Sequence, residues 1–148
     1  MRYVTDLLDE KGRTVWSVSP DSSVYDALKL MSQKEIGAVL VLEDDRLVGI
    51  FSERDYARKV ILKGKSSRST PVCEIMSRKV AYVRPDQSVE ECMAFMTKER
   101  IRHLPVLEGE QLAGLISIGD VVKAVISAQG MEIKQLETYV TGLLHGYC

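Results

Sequence analysis

The sequence predicts a mixed α/β (α+β) fold made of two tandem β-α-β-β-α units. Three observations predict it: an internal duplication, apolar patterns of strand and helix length alternating within each copy, and turn chemistry at the same places in both. Displacing the chain by 65 residues lays Val15–Ile61 on Val80–Ile126 without a gap. Seventeen pairs are then identical, among them Pro20 with Pro85, Asp21 with Asp86, Ser23 with Ser88, Met31 with Met96, Gly49 with Gly114, Ser52 with Ser117 and Asp55 with Asp120. Chance would give only a few, and self-similarity on this scale marks a repeated structural unit.

Each copy reads the same way in order. A short β-like segment, Val15–Val18 or Val80–Val83, runs into a Pro-Asp turn, where proline presets φ and aspartate bonds the backbone ahead of it. Ser23 and Ser88 are N-cap residues for helices over Val24–Ser32 and Val89–Lys98. Val24, Ala27, Leu28 and Met31 recur at i, i+3, i+4 and i+7, which gives one buried stripe. Ala38–Leu42 and Leu104–Leu107 are unbroken apolar runs, as strands covered on both faces require. A tight acidic turn leads to strands Leu47–Phe51 and Leu112–Ile116, and these run directly into helices Glu53–Leu62 and Gly119–Ala128.

At under about 50 residues one unit buries too little surface to be stable alone, so the two are expected to pack together. The expected organisation is residues 1–63 as the first unit with its N-terminal lead-in, 64–70 as a polar linker, 71–128 as the second unit and 129–148 as a C-terminal helix and tail. Within this scheme Val72–Met76 is a short helical lead-in to the second copy, and Ile133–Thr141 is a terminal helix stopped by Gly142. Apolar residues after Ile126, including Met131, Leu136, Val140 and Leu143, predict self-association.

Composition narrows the function classes. The chain has 148 residues, 45 % hydrophobic and 28 % charged, with net charge −1. That is an ordinary globular profile with no global pull toward nucleic acid or an anionic membrane. The N-terminal stretch carries Asp6, Asp9 and Glu10 and reads against a secretory leader, and no apolar run approaches membrane-spanning length. Three cysteines, Cys73, Cys92 and Cys148, are spaced too widely for a disulfide framework or a zinc site, and no metal is expected. A reducing cytoplasm is the expected compartment.

The chemistry is expected at the repeated Gly-x-x-Ser-x-x-Asp, Gly49 to Asp55 and Gly114 to Asp120, where a strand ends and a helix begins. Helix N-termini attract anions, a serine hydroxyl can donate to phosphate, aspartate can accept from vicinal hydroxyls, and glycine allows close approach of a flat ligand. The same Ser-x-x-Asp is also a helix capping box. A second constellation sets Gly37 and Ala38 of one copy against Arg102 and His103 of the other, which predicts two unlike sites, with Arg102 able to pair with phosphate. A lone histidine with no partner nucleophile or metal spacing is a poor catalyst, and the sequence contains no catalytic dyad.

These residues resemble a tandem cystathionine-β-synthase (CBS) domain pair, over Val4 to about Ile126. More narrowly, Ser52–Val60, Arg100–Val106 and Ile116–Asp120 resemble small stand-alone bacterial members that bind AMP and NAD(H). The resemblance implies two units packed about a pseudo-twofold axis into one disc, with adenosyl ligands in the clefts between them. It implies that Asp55 and Asp120 hold ribose and that Ser52 and Ser117 hold phosphate, while the strand before them carries the adenine. The expected ligand set is Val15, Val18, Ile36, Gly37, Ala38, Ser52, Arg54 and Asp55 for the first copy. For the second it is Val80, Tyr82, Arg102, His103, Leu104, Pro105, Ser117, Gly119 and Asp120.

Copy two places Ile118-Gly119 where copy one has Glu53-Arg54, so only one copy offers a helix arginine. One site is accordingly expected to take an extended dinucleotide and the other AMP. The function expected is a nucleotide-sensing regulatory module, a homodimer acting on a partner that the sequence does not name, and not an enzyme. The alternatives are a nucleotide hydrolase, which lacks a metal-binding carboxylate pair or positioned base, and nucleic-acid binding. The latter would use Arg54, Arg58, Lys59, Lys63, Lys65 and Arg68, which lack interleaved aromatics.

Overall fold

The computed structural model describes residues 2–128. The expected terminal helix, the apolar positions behind the self-association expectation and Cys148 lie outside the described residues. The chain runs α1 (Val4–Lys11), β1 (Ser17–Val18), α2 (Val24–Lys34), β2 (Ala38–Glu43), β3 (Arg46–Ser52) and α3 (Glu53–Tyr56). A π-helical turn (Ala57–Ile61) continues α3, and a 3-10 turn (Val72–Glu74) follows the linker. Then come α4 (Val89–Glu99), β4 (His103–Glu108), β5 (Gln111–Ser117) and α5 (Ile118–Ala128). The mixed fold and the repeated helix-hairpin-helix order match the sequence expectation.

The caps fall where serine places them. Ser23 Oγ accepts the Asp26 N–H at 3.0 Å, and Ser88 Oγ accepts the Glu91 N–H at 3.1 Å. Both helices end alike, on a left-handed residue with a side chain: Glu35 at φ 54 and Arg100 at φ 57. Each is followed by an isoleucine whose N–H returns to a methionine carbonyl, Ile36 to Met31 and Ile101 to Met96, both at 3.0 Å. That bond closes the last turn and satisfies an otherwise orphaned carbonyl.

In the first copy β1, β2 and β3 form one sheet, β1 parallel to β2 and β2 antiparallel to β3, with a register shift between Val41 and Leu42. Asp44 and Asp45 make the hairpin turn with both φ values positive, at 52 and 64, the backbone twist that a two-residue hairpin favours. Val39, Val41 and Phe51 are fully buried and pack with Val24, Ala27 and Met31 of α2. In the second copy the sheet has only β4 and β5, and the expected strand Val80–Val83 is reduced to one parallel bridge, Val83 with Val106.

Pro105 explains the loss. Its repeat counterpart, Leu40, donates its N–H to the Trp16 carbonyl at 3.4 Å, a bond that proline cannot make. The Pro105 carbonyl still accepts the Val83 N–H at 3.0 Å, so its nitrogen faces this outer edge and leaves the pairing with β5 intact.

The lead-ins depart from expectation. The chain forms two compact units. One holds residues 2–13, 83–107 and 113–128; the other holds Thr14–Tyr82 and Glu108–Leu112. The N-terminal lead-in therefore belongs with the second copy: the Val4 N–H bonds the Gln87 carbonyl at 2.9 Å, and the Val89 N–H bonds the Arg2 carbonyl at 3.0 Å. Conversely, Val72–Met76 serves the first copy and not the second. The Val72 N–H bonds the Ser22 carbonyl at 2.8 Å, and Val72, Ile75 and Met76 complete the core around Val24 and Phe51.

The compact units therefore do not follow the sequence order of the two repeats, because each copy closes its core with a segment that the sequence order places beside the other. Leu8→Ala, at a fully buried position, is expected to cost about 2–5 kcal/mol in denaturant unfolding. Hydrogen exchange should speed up in β5 and α5 and stay unchanged in β2 and β3; acceleration in β2 and β3 instead would contradict the exchanged lead-in.

Candidate functional site

In both units a hairpin strand passes into a helix at serine. Ser52 keeps extended backbone, φ −124, and Glu53 begins the helix. The Asp55 N–H donates to Ser52 Oγ at 3.2 Å, while Asp55 Oδ2 accepts the Ser52 N–H at 3.0 Å and its hydroxyl at 3.1 Å. The second copy repeats this: Ser117 N–H to Asp120 Oδ2 at 2.8 Å, and Asp120 N–H to Ser117 Oγ at 3.2 Å. The capping box, one of the two roles open to Ser-x-x-Asp, is formed in both copies.

The second constellation is carried to the same place. The Gly37 carbonyl accepts the Glu53 N–H at 3.1 Å, and the Arg102 carbonyl accepts the Ile118 N–H at 2.8 Å. Ala38 pairs in register with Ser52. Each junction thus brings together its serine, its aspartate and the residue before the preceding strand: bare at Gly37, charged and exposed at Arg102. His103 is half-buried beside Arg102, and Arg54 and Gly119 are exposed at the second helical positions.

Ala38, Leu104 and Pro105 are buried strand residues. Val15 is half-buried, and Val18 and Ile36 pack against the first copy's core. Val80 and Tyr82 belong to the compact unit of the first copy, and Ser117 and Asp120 belong to the other.

The motif glycines have a different use from the one expected. A Cβ on Gly49 would lie 2.5 Å from Met76 Sδ, and one on Gly114 would lie 2.6 Å from Leu8 Cδ2. The space over each glycine is filled by a lead-in side chain rather than left for a flat ligand.

A lysine stands beside each aspartate. Lys59 Nζ lies 3.2 Å from Asp55 Oδ1 and donates to the Ile75 carbonyl at 3.2 Å. Its i, i+4 spacing from Asp55 was a legible signal. Lys11 Nζ donates to Asp120 Oδ2 at 2.6 Å and to the Leu115 carbonyl at 2.8 Å, across more than a hundred residues of chain, and no local pattern announces it. Burial pushes the Asp120 carboxyl up, but the Lys11 hydrogen bond, the Ser117 N–H and the Lys11 charge outweigh it and hold the group below the ordinary carboxylate value.

The sequence matches the CBS domain over residues 5–62 and again over 72–127. It belongs to the CBS domain family. A solved CBS-domain protein of Burkholderia ambifaria MC40-6, described provisionally as a signal-transduction protein, is 55 % identical, with TM-score 0.84 over 88 % of this chain and 98 % of that one. The CBS-domain protein ATU1752 of Agrobacterium tumefaciens is 43 % identical, with TM-score 0.80 over 84 % and 99 %. Among sequences, the mitochondrial CBS domain-containing protein CBSX3 of Arabidopsis thaliana is 40 % identical over 94 % of this chain and 72 % of its own.

CBS domains generally bind adenosyl ligands, and stand-alone CBS pairs are generally regulatory proteins, not enzymes. No described helix is long and apolar enough to cross a membrane.

Because its folded value lies below the unfolded one of about 3.9, Asp120 contributes stability above that pH. The contribution is lost as pH falls through the folded value. In Lys11→Met the upward push of burial is no longer opposed by the ammonium, so the Asp120 carboxyl should titrate higher than in the wild type in a carbon-detected NMR titration. An unchanged midpoint would show that Lys11 does not set it.

Proposed function

We propose that this chain is a regulatory module that senses adenine nucleotides, with AMP and NAD(H) as its ligands and one site at each strand-to-helix junction. The observation that carries the reading is the repetition of one acceptor arrangement. In both copies a part-buried aspartate is oriented by serine and neutralised by a lysine, beside an exposed first turn. An ionised carboxylate can accept up to about four hydrogen bonds, so Asp120, which receives two, has capacity left for the paired hydroxyls of a ribose. In the second copy all the bonds received by Asp120 land on Oδ2.

Ser52 and Ser117 serve the phosphate. Gly37 and Ala38 leave room for an extended dinucleotide, while Arg102 and His103 charge the equivalent place and favour AMP. The module acts as a cytoplasmic homodimer on a partner protein. Association suits the family, since a hexameric CBS-CP12 protein from cyanobacteria is 28 % identical over 90 % of this chain. Nucleic-acid binding is disfavoured because half of the basic stretch is occupied internally: Lys59 with Asp55, Lys65 with Glu74, and Arg68 over the Tyr25 ring at 4.0 Å.

A nucleotide that binds only the folded state should stabilise it by about 2.7 kcal/mol per site at 100 times its Kd. For a chain of this length the melting midpoint should rise by roughly 5–10 °C. A flat response to AMP, ADP, ATP, NAD+ and NADH would overturn the reading. Asp55→Ala and Asp120→Ala should each weaken one site about 10- to 150-fold. Since each also removes half of a capping box, each should cost about 1 kcal/mol of stability as well. Calorimetry reads the first effect and denaturation the second; loss of stability with affinity intact would leave these residues as caps alone.

A further inference from the structure

The helix that follows β3 in the first copy ends in a way that its repeat counterpart does not. The Leu62 N–H reaches the Ala57 carbonyl at 3.2 Å, so Ala57–Ile61 forms a π-turn, wider than an α-turn by a single residue. Such turns recur at functional sites. The Lys65 N–H then bonds the Val60 carbonyl at 3.0 Å, and the Gly64 N–H bonds the Ile61 carbonyl at 3.2 Å, with Gly64 left-handed at φ 68. This is a closed Schellman end, so the turn over residues 61–65 is held by its own backbone.

Ile61 is 56 % exposed and Leu62 is 76 % exposed, the two most exposed large apolar side chains among the described residues. The fold does not demand them there. In the second copy α5 continues as a regular helix, Ile126 is half-buried, and Ser127 and Ala128 stand where the first copy has Leu62 and Lys63. From Arg58 to Arg68 the chain carries five cations and no carboxylate. Cations suit the last turn of a helix because its carbonyls carry partial negative charge, but an exposed leucine gains nothing from that. Among the described residues Arg58 and Lys63, on either side of the aliphatic pair, have no hydrogen bond or ion pair.

We propose that Ile61 and Leu62, between Arg58 and Lys63, form a docking surface for an acidic segment of another protein, one that brings apolar side chains flanked by carboxylates. The inference rests on the regulatory reading for the existence of a partner, and it deepens that reading by giving the partner a chemistry. An apolar centre with unpaired charge around it is the anatomy of an interface core and its rim. The closed turn lowers the ordering cost of binding. A second copy meeting this surface with its own equivalent would set cation against cation, so the surface is not self-complementary. A bilayer is a poor occupant, because even a whole myristoyl chain binds one only marginally and this pair offers far fewer carbons. A nucleic acid would use the cations and leave the aliphatic pair uncovered.

The test uses a displayed library of random peptides selected on the full chain. Selected peptides are then titrated by fluorescence anisotropy against wild type, Leu62→Ser and Lys63→Glu. Leu62→Ser supplies the residue type that the second copy has at this place, at a mostly exposed position, so the melting midpoint should be retained. The selected peptides should place Leu, Phe or Trp among Asp and Glu. Their affinity should fall about tenfold in Leu62→Ser, fall in Lys63→Glu, and weaken with added salt. Selection of no peptide, of peptides without carboxylates, or of peptides that hold Leu62→Ser as tightly as wild type would overturn the proposal. So would binding to phosphatidylglycerol vesicles that Leu62→Ser abolishes, or a dimer in sedimentation that the same variant splits, since either gives the surface another occupant. No nucleotide enters the assay, so the two readings can fail separately. A flat melting response to adenine nucleotides with peptide binding intact removes the sensing and keeps the docking surface; the reverse result removes the docking surface alone.

Discussion

Each β-α-β-β-α copy leaves the face over one glycine uncovered, and the rest of the structure depends on another stretch of chain covering it. Gly49 receives Met76 and Gly114 receives Leu8, at distances that no Cβ would tolerate. A single copy has too little apolar surface to close a core by itself, so the covering segment is part of the fold rather than an ornament. Val4, Leu7 and Leu8 on one lead-in and Val72, Ile75 and Met76 on the other are all buried core side chains. That each copy takes its cover from the lead-in that precedes the other in sequence means neither copy can be cut out at the sequence boundary and remain whole.

The same requirement positions the chemistry. Gly49 and Gly114 lie three residues before Ser52 and Ser117, so the packing that pins the glycine also fixes the strand that ends in the cap. The cap then orients the aspartate, since Oδ2 is held by the serine N–H in both copies. On the proposed reading, capping and ligand binding are therefore not rival uses of one side chain. A carboxylate locked in one rotamer by its cap loses little further freedom when it meets a ligand, which lowers the cost of binding.

Much of this was legible. The duplication located both hairpins, both capped helices and both Ser-x-x-Asp junctions, because each follows from local chemistry: serine before a periodic helix, paired turn residues, apolar runs of strand length. The misreadings have non-local causes. Adjacency in sequence points each lead-in to the copy it precedes, and only tertiary packing shows Leu8 against Gly114 and Met76 against Gly49. The second copy's first strand looked equal to the first's until Pro105 is considered as a missing donor at the sheet edge, a signal that was present in the sequence. Lys59 was likewise readable from its i, i+4 spacing to Asp55, whereas Lys11 reaches Asp120 only because α1 packs beside α5.

The exchange of lead-ins also makes the duplicated sites unequal in a way that their motifs do not reveal. In the first copy, carboxylate and counter-charge stand on one helix, and the pair persists wherever that helix forms. In the second, the counter-charge sits on a segment joined to its partner only through packing, with Lys11 bound to both Asp120 and the Leu115 carbonyl. A change in the charge around Asp120 is therefore felt by α1, while a change at Asp55 is felt first within its own helix. A ligand can shift a conformational equilibrium only by as much as its contacts differ between the two states. On the proposed reading the Lys11–Asp120 contact is such a difference, since a ligand on Asp120 would meet it directly. Sensitivity of α1 to the second site follows from electrostatics that identical Gly-x-x-Ser-x-x-Asp motifs would never distinguish.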